Sequence, residues 1–151
     1  NGSDDALALR GSAALAQGKL AYKLFKEKFS GDRWDALAAR GARVQRPLWA
    51  STGAKNPAYS DTLYVDELIG PDTVNTLPDA TLDAFVDHGT VARRVDSDVD
   101  HAEAIWANLA RVGIDMDDVA DQLEREGVAS FAAAFDELIA ALEAKAATLD
   151  I

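Results

Sequence analysis

The sequence predicts an α/β chain that is mostly helical by content, with about two parallel strands of an incomplete sheet and additional helices towards its C-terminal end. Three observations predict this. Apolar residues recur at helical spacing through most of the 151 residues. Two short apolar stretches, near Leu48-Trp49 and Val74, each run into a polar turn. The segment between them is short and helical, the crossover that joins parallel neighbours.

The elements follow in order. Asp4 to about Phe29 reads as a helix, with Asp4 and Asp5 at its positive end and Ala14, Ala21, Phe25 and Phe29 as a buried stripe. Ser30-Gly31 breaks the pattern. A short helix follows with Trp34, Leu37 and Ala38 inward, and Gly41 caps it. Arg46 to Ser51 is a buried strand ending in the loop Thr52-Gly53-Ala54-Lys55-Asn56-Pro57. Ser60-Asp61 opens a helix to about Leu68 with Leu63, Tyr64 and Leu68 packed, and Gly70-Pro71 ends it. Thr73–Thr76 is the second strand. Asp79 to His88 is a helix with Leu82 and Phe85 inward and Gly89 as its cap. Thr90 to Asp96 is an extended connection. The tail reads as three helices. Ser97 caps the first, with Val99, Ala102, Trp106 and Leu109 inward, and Gly113 ends it. Asp115 caps the second, which ends at Gly127. The last carries Phe131, Phe135, Leu138 and Leu142.

Parallel strands are ordinarily buried inside larger sheets, and a pair of them leaves both edges open. The expectation is therefore one partial domain over 1–151: helices before the first strand in 1–42, strand–helix–strand–helix in 43–89, and helices in 90–151. Self-association or strands supplied by other sequence would cover the open edges.

Composition narrows the function. The net charge is −11 and the pI about 4.4. Such a surface repels nucleic acid and anionic lipid. No apolar run approaches the roughly 18 to 20 residues of a membrane helix. The polar N-terminal residues Asn1 to Asp5 resemble no secretion or transit signal, so a cytoplasmic protein is expected. With no cysteine and only His88 and His101, disulfides, thiolate chemistry and sulfur-ligated zinc are excluded.

Ligands of parallel sheets sit beyond the C-terminal ends of the strands. That rule selects Ser51, Thr52, Gly53, Lys55 and Asn56 after the first strand, and Asn75, Thr76 and Pro78 after the second. The first set carries hydroxyls, exposed N–H groups, a glycine and one ammonium, which together can hold an anion. The spacing is not that of a nucleotide P-loop, and on local composition an ordinary polar turn is the default.

The wider run Gln45 to Asp61, which includes Arg46-Pro47-Leu48-Trp49-Ala50-Ser51-Thr52-Gly53-Ala54-Lys55-Asn56-Pro57, resembles the seventh-strand region of transaldolases. Leu63 to Pro78 resembles their next helix and eighth strand. Asp87-His88-Gly89, Gly113-Ile114-Asp115 and Phe131 to Leu142 continue the likeness. It is closest to a branch with actinobacterial-type transaldolases and transaldolase/glucose-6-phosphate isomerase fusions. The resemblance implies the C-terminal part of a TIM (β/α)8 barrel, from a cytoplasmic transferase that moves a dihydroxyacetone unit between sugar phosphates in the pentose phosphate pathway. It implies a Schiff-base lysine on the fourth strand, outside this chain, so that the chain alone is inactive and supplies no catalytic residue. No metal or organic cofactor is implied. Ser51 matches a serine that helps hold the substrate phosphate. Lys55 is the candidate basic partner, although its spacing from Ser51 differs from the Ser-x-Arg of other branches.

The remaining polar residues take plainer readings. Lys19, Lys23, Lys26, Lys28 and Lys145 are expected to be solvated. His88 and His101 are structural. Trp34, Trp49 and Trp106 pack in the core. Asp117, Asp118 and Asp121 lack a calcium loop's glycine and glutamate and mark a solvated helix start. Arg93 and Arg94 pair with nearby acids. Two other readings of the chain are part of a bifunctional transaldolase/glucose-6-phosphate isomerase, and a non-catalytic half-barrel assembly or binding module.

Overall fold

The computed structural model describes residues 2–149; Asn1, at the head of the acidic N-terminal stretch, lies outside them. The chain forms two compact units, 1–112 and 113–151. The first holds α1 (Asp4–Ala8), α2 (Ala13–Lys28), α3 (Gly31–Ala38), β1 (Leu48–Trp49), α4 (Leu63–Glu67), β2 (Val74–Asn75), α5 (Asp79–His88) and α6 (Val99–Arg111). The second holds α7 (Met116–Ala146).

β1 and β2 are parallel, with Leu48 opposite Val74 and Trp49 opposite Asn75. The Val74 amide donates to the Pro47 carbonyl and the Thr76 amide to the Trp49 carbonyl, both at 2.9 Å. α4 is the crossover between them, as its position in the sequence predicts. β1 is not buried on both faces. Leu48 is 54% exposed while Trp49 turns inward onto the core, so within the first unit the described helices cover one face of this pair.

The core is Tyr22, Phe25, Leu68 and Val95, flanked by Leu15, Phe29 and Trp49. Aromatic rings chain along one side of α2: Tyr22 to Phe25, Phe25 to Phe29 at 5.2 Å, and Phe29 edge-on to Trp34 at 4.7 Å. Rings at such spacing add to the area they bury. The polar ends of the core side chains are met. Tyr22 Oη donates to the Pro71 carbonyl at 3.0 Å and Trp49 Nε1 to the Leu68 carbonyl at 3.0 Å. The connection Thr90 to Asp96, expected to be extended, holds neither helix nor strand and ends in a turn at Val95-Asp96, and the Arg94 and Val95 amides pin it to the Ile69 carbonyl.

Several expectations are corrected. The first helix is two, broken at Gly11, whose φ of +77° no α-helix accommodates. The buried residues of α2 are Ala16, Gly18, Lys19, Tyr22 and Phe25, whereas Ala14 and Ala21 are exposed and Phe29 is half-buried. In α3, Trp34 is half-buried while Leu37 and Ala38 are exposed. Thr62, Val65 and Leu68 are the buried residues at α4, with Leu63 and Tyr64 half-buried. Leu82 of α5 is 48% exposed, and Thr81 is the buried residue of that helix. Gly89 does cap α5 as expected, its amide donating to the Phe85 carbonyl at 2.9 Å. Asp98, at φ 53°, precedes α6 in the place expected for Ser97, and Ile105 rather than Trp106 is buried there.

The tail is two helices, not three. α7 runs through Gly127 without interruption. A single internal glycine costs about 1 kcal/mol relative to alanine, too little to end a long helix. Asp115 caps α7 as expected, its Oδ1 accepting the Asp117 and Asp118 amides. Among the described residues no helix is long and apolar enough to cross a membrane.

Candidate functional site

The chain leaves β1 through a backbone position that few side chains tolerate. Ser51 has φ 55°, in the left-handed region, and its side chain is exposed. Such strain persists where surrounding structure enforces it. Here the enforcement comes from the next residue. Thr52 is 4% exposed, and its Oγ1 donates to Asn75 Oδ1 at 2.8 Å. That bond ties the exit of β1 to the exit of β2 through two side chains.

Gly53 lies against the first turn of α5. A Cβ added there would sit 3.0 Å from Thr81 Oγ1. The loop then opens outward. Asn56 Oδ1 accepts the Ala58 amide at 3.0 Å and the Asn56 carbonyl accepts the Tyr59 amide at 3.0 Å, so the side chain shapes the turn. Lys55 is exposed, and among the described residues it forms no ion pair.

Ser51, Thr52, Gly53, Lys55 and Asn56 therefore line one cavity of about 550 Å3, beside β1 and α2. The structure brings together all five residues selected after the first strand, whereas Asn75, Thr76 and Pro78, selected after the second, do not line that cavity. Asn75 meets the group through Thr52. Thr76 Oγ1 reaches back to the Trp49 carbonyl at 3.4 Å. The cavity wall also includes Ala14, Gln17 and Ala21 of α2, together with Tyr59 and Tyr64, which sequence reading did not assign to it. Ala14 and Ala21 belong to the stripe expected on α2, whereas nothing in the sequence singles out Gln17. The chemistry on offer is a hydroxyl, backbone N–H groups and one ammonium at the mouth of a largely apolar hollow, a set suited to an anionic group on a small polar molecule.

A second polar cluster lies apart from this loop. Lys19, expected in solvent, is 8% exposed. Its Nζ donates to the Ser97 carbonyl at 3.1 Å and Ser97 Oγ at 3.3 Å, and lies 3.5 Å from Glu67 Oε2. Glu67 Oε1 also accepts from Arg94 Nη1 at 2.6 Å. An ammonium has three protons, and these acceptors account for them. Lys23 pairs with Glu103 on α6, and Arg93 with Asp96. His88, at the end of α5, sits between Asp61 and Asp87. Among the described residues no group of histidine and carboxylate side chains could hold a metal ion.

Residues 2–142 match the family described as transaldolase/fructose-6-phosphate aldolase. The chain belongs to that family. Among its relatives, transaldolase 1 of Streptomyces coelicolor is 54% identical over 142 residues, 93% of this chain and 37% of the relative. The transaldolase of Mycolicibacterium smegmatis is 51% identical over 143 residues, 94% of this chain and 38% of its own length. That of Acidothermus cellulolyticus is 52% identical over 139 residues, covering 91% and 37%. The chain thus spans little more than a third of the transaldolases it matches, and the match takes in β1, β2 and both exit loops.

Proposed function

We propose that this chain is the C-terminal part of a cytoplasmic transaldolase, built as one portion of a TIM barrel, and that it supplies part of the seat for the phosphate of a sugar-phosphate substrate. The whole enzyme transfers a dihydroxyacetone unit between sugar phosphates in the pentose phosphate pathway. A lysine elsewhere in the enzyme forms the Schiff base. Its iminium stabilises the carbanion left when the carbon–carbon bond breaks, so no metal or organic cofactor enters. In this reading Ser51 donates its hydroxyl to a phosphate oxygen, the loop amides around Gly53 face the anion, and Lys55 supplies the positive charge. Thr52 and Asn56 hold the loop in shape.

The observation that carries the proposal is the gathering of Ser51, Thr52, Gly53, Lys55 and Asn56 on one cavity at the exit of β1, in a chain of this family. Titration with inorganic phosphate and with fructose 6-phosphate, followed by amide NMR, tests it. Shifts at Ser51, Gly53 and Lys55 are expected. Lys55→Met should weaken binding about tenfold, the loss of one charge-assisted hydrogen bond. Shifts confined to other surfaces would sink the phosphate assignment. Borohydride trapping with fructose 6-phosphate tests the missing lysine: covalent labelling of this purified chain would show that the reactive amine lies within it. Saturable binding of neither ligand would favour a non-catalytic module instead.

A further inference from the structure

The loop after β1 has two sides. Ser51, Lys55 and Asn56 are exposed at the cavity, whereas Thr52 and Gly53 are buried. The buried side rests on one arm of the chain, from Asn75 to Thr81. Thr52 Oγ1 donates to Asn75 Oδ1 at 2.8 Å, and the Thr76 carbonyl is its alternative acceptor at 3.5 Å. Gly53 lies so close to the start of α5 that an added Cβ would stand 3.0 Å from Thr81 Oγ1 and 3.6 Å from Pro78 Cγ. Thr81 is itself buried. Asn75 stands off the cavity, and among the described residues its side chain bonds to Thr52 alone. Ser51, next to this latch, is an exception in the chain. Among the described residues, the other non-glycine positions with positive φ are Asp72 and Asp98. Aspartate tolerates that region through local hydrogen bonds, whereas an unrestrained serine favours ordinary conformations by about tenfold.

Taking phosphate as the ligand of this loop, which rests on the functional reading above, we infer that Asn75 and Thr52 are positioning residues. Their hydrogen bond holds Ser51 in the left-handed conformation in which it lines the cavity, and β2 thereby sets the phosphate affinity of the loop that follows β1. Asn75 acts through Thr52 and does not touch the ligand. The expected size follows from the conformational preference. When only a fraction of molecules holds the binding conformation, apparent affinity falls by that fraction. Releasing Ser51 should therefore weaken phosphate binding about tenfold. The contact of Gly53 with Pro78 and Thr81 backs the same side of the loop, so the freed segment would move towards the cavity and not away from it.

The test titrates inorganic phosphate into the full 151-residue chain and its variants. Amide NMR reads binding, and backbone couplings report φ at Ser51. Thr52→Val keeps the shape of the side chain and loses the hydroxyl; Asn75→Ala loses the acceptor. Each should move Ser51 out of the left-handed region and weaken phosphate binding about tenfold. The double variant should bind no worse than Thr52→Val, because both changes remove the same bond. Thr52→Ser retains the hydroxyl and should bind as the unmodified chain does. Glu67→Ala, in the cluster apart from this loop, should lower the melting temperature and leave phosphate affinity unchanged, which separates lost positioning from lost stability. If Asn75→Ala does not fold, Thr52→Val and Thr52→Ser carry the test. Unchanged affinity or an unchanged Ser51 φ in Thr52→Val would overturn the inference. So would additive losses in the double variant, which would put Asn75 on the ligand itself. Absence of phosphate binding by the unmodified chain would remove the functional reading instead, and the Ser51 couplings in the two single variants would still decide the latch.

Discussion

Glu67 serves two cations, Lys19 at 3.5 Å and Arg94 at 2.6 Å, and the asymmetry between them has a measurable consequence. Removing the carboxylate leaves a nearly buried ammonium without its counter-charge. A fully buried pair broken in this way costs about 3–5 kcal/mol. Because the Glu67 side chain is 26% exposed, we expect about 2–3 kcal/mol for Glu67→Ala in denaturant unfolding. Lys19→Met should cost only about 1 kcal/mol, because Glu67 keeps Arg94 and the methionine keeps the packing of the lysine stem. Equal losses for the two variants would contradict this reading of the cluster. At Gly70, an added Cβ would lie 2.1 Å from Cγ1 of Val95, which is fully buried. Gly70→Ala should therefore cost at least about 1–3 kcal/mol by overpacking, read as a lower melting temperature. The sequence places Lys19 in a lysine-rich helical run, and its partner Ser97 lies 78 positions away. Periodicity on one helix carries no information about such a partner, so the burial of Lys19 is not legible in the sequence. The five loop residues were legible for the opposite reason: strand, turn and chemistry are contiguous.

At the scale of elements, His88 clasps the end of α5 to the approach to α4. Its Nε2 is 2.9 Å from Asp61 Oδ1 and its Nδ1 3.1 Å from Asp87 Oδ2. The hydrogen bond to Asp61, then that to Asp87, raises its pKa above the ordinary 6.5. The same bond lowers that of Asp61 below 3.8. A raised histidine stabilises the fold fully below its unfolded value and loses that contribution as pH climbs through the folded one. A lowered aspartate loses its contribution as pH falls through its folded value. The clasp is thus closed between these limits. The melting temperature should fall modestly as pH rises beyond about 6.5, and His88→Ala should flatten that slope. An unchanged slope in the variant would place the titration elsewhere. Strand positions and the span of α5 were readable because turn residues bracket them. The face of α2 was not, since alanines on either side of a helix weigh almost alike. The break expected at Gly127 does not occur, and the helical ladder of α7 runs on through it.

For the molecule as a whole, the apolar periodicity says which faces shun water and leaves open what meets them. Leu48 on β1 and Leu82 and Val86 on α5 stay exposed in the first unit, as do Phe131, Phe135, Leu138 and Leu142 on α7 in the second. The parallel pair and its crossover could be read from the sequence. The extent of the surface left uncovered could not, because periodicity marks an apolar face without marking what packs on it. Phe131 is 82% exposed and Phe135 62%, so a dye that fluoresces on apolar surface should bind this chain strongly. Phe131→Gln with Phe135→Gln should reduce that signal by half or more, with the melting of residues 2–112 unchanged. Retention of the full signal would assign the dye to the first unit.

That aromatic row also governs handling. Sulfate, which drives apolar surfaces together, should precipitate this polypeptide at lower concentration than its charge of −11 would lead one to expect. In a host cell exposed apolar surface of this kind is an aggregation liability. Recovery of intact material would then be decided by how quickly α7 is sheltered, and much less by how firmly the tyrosine and valine at the centre of the first unit are packed.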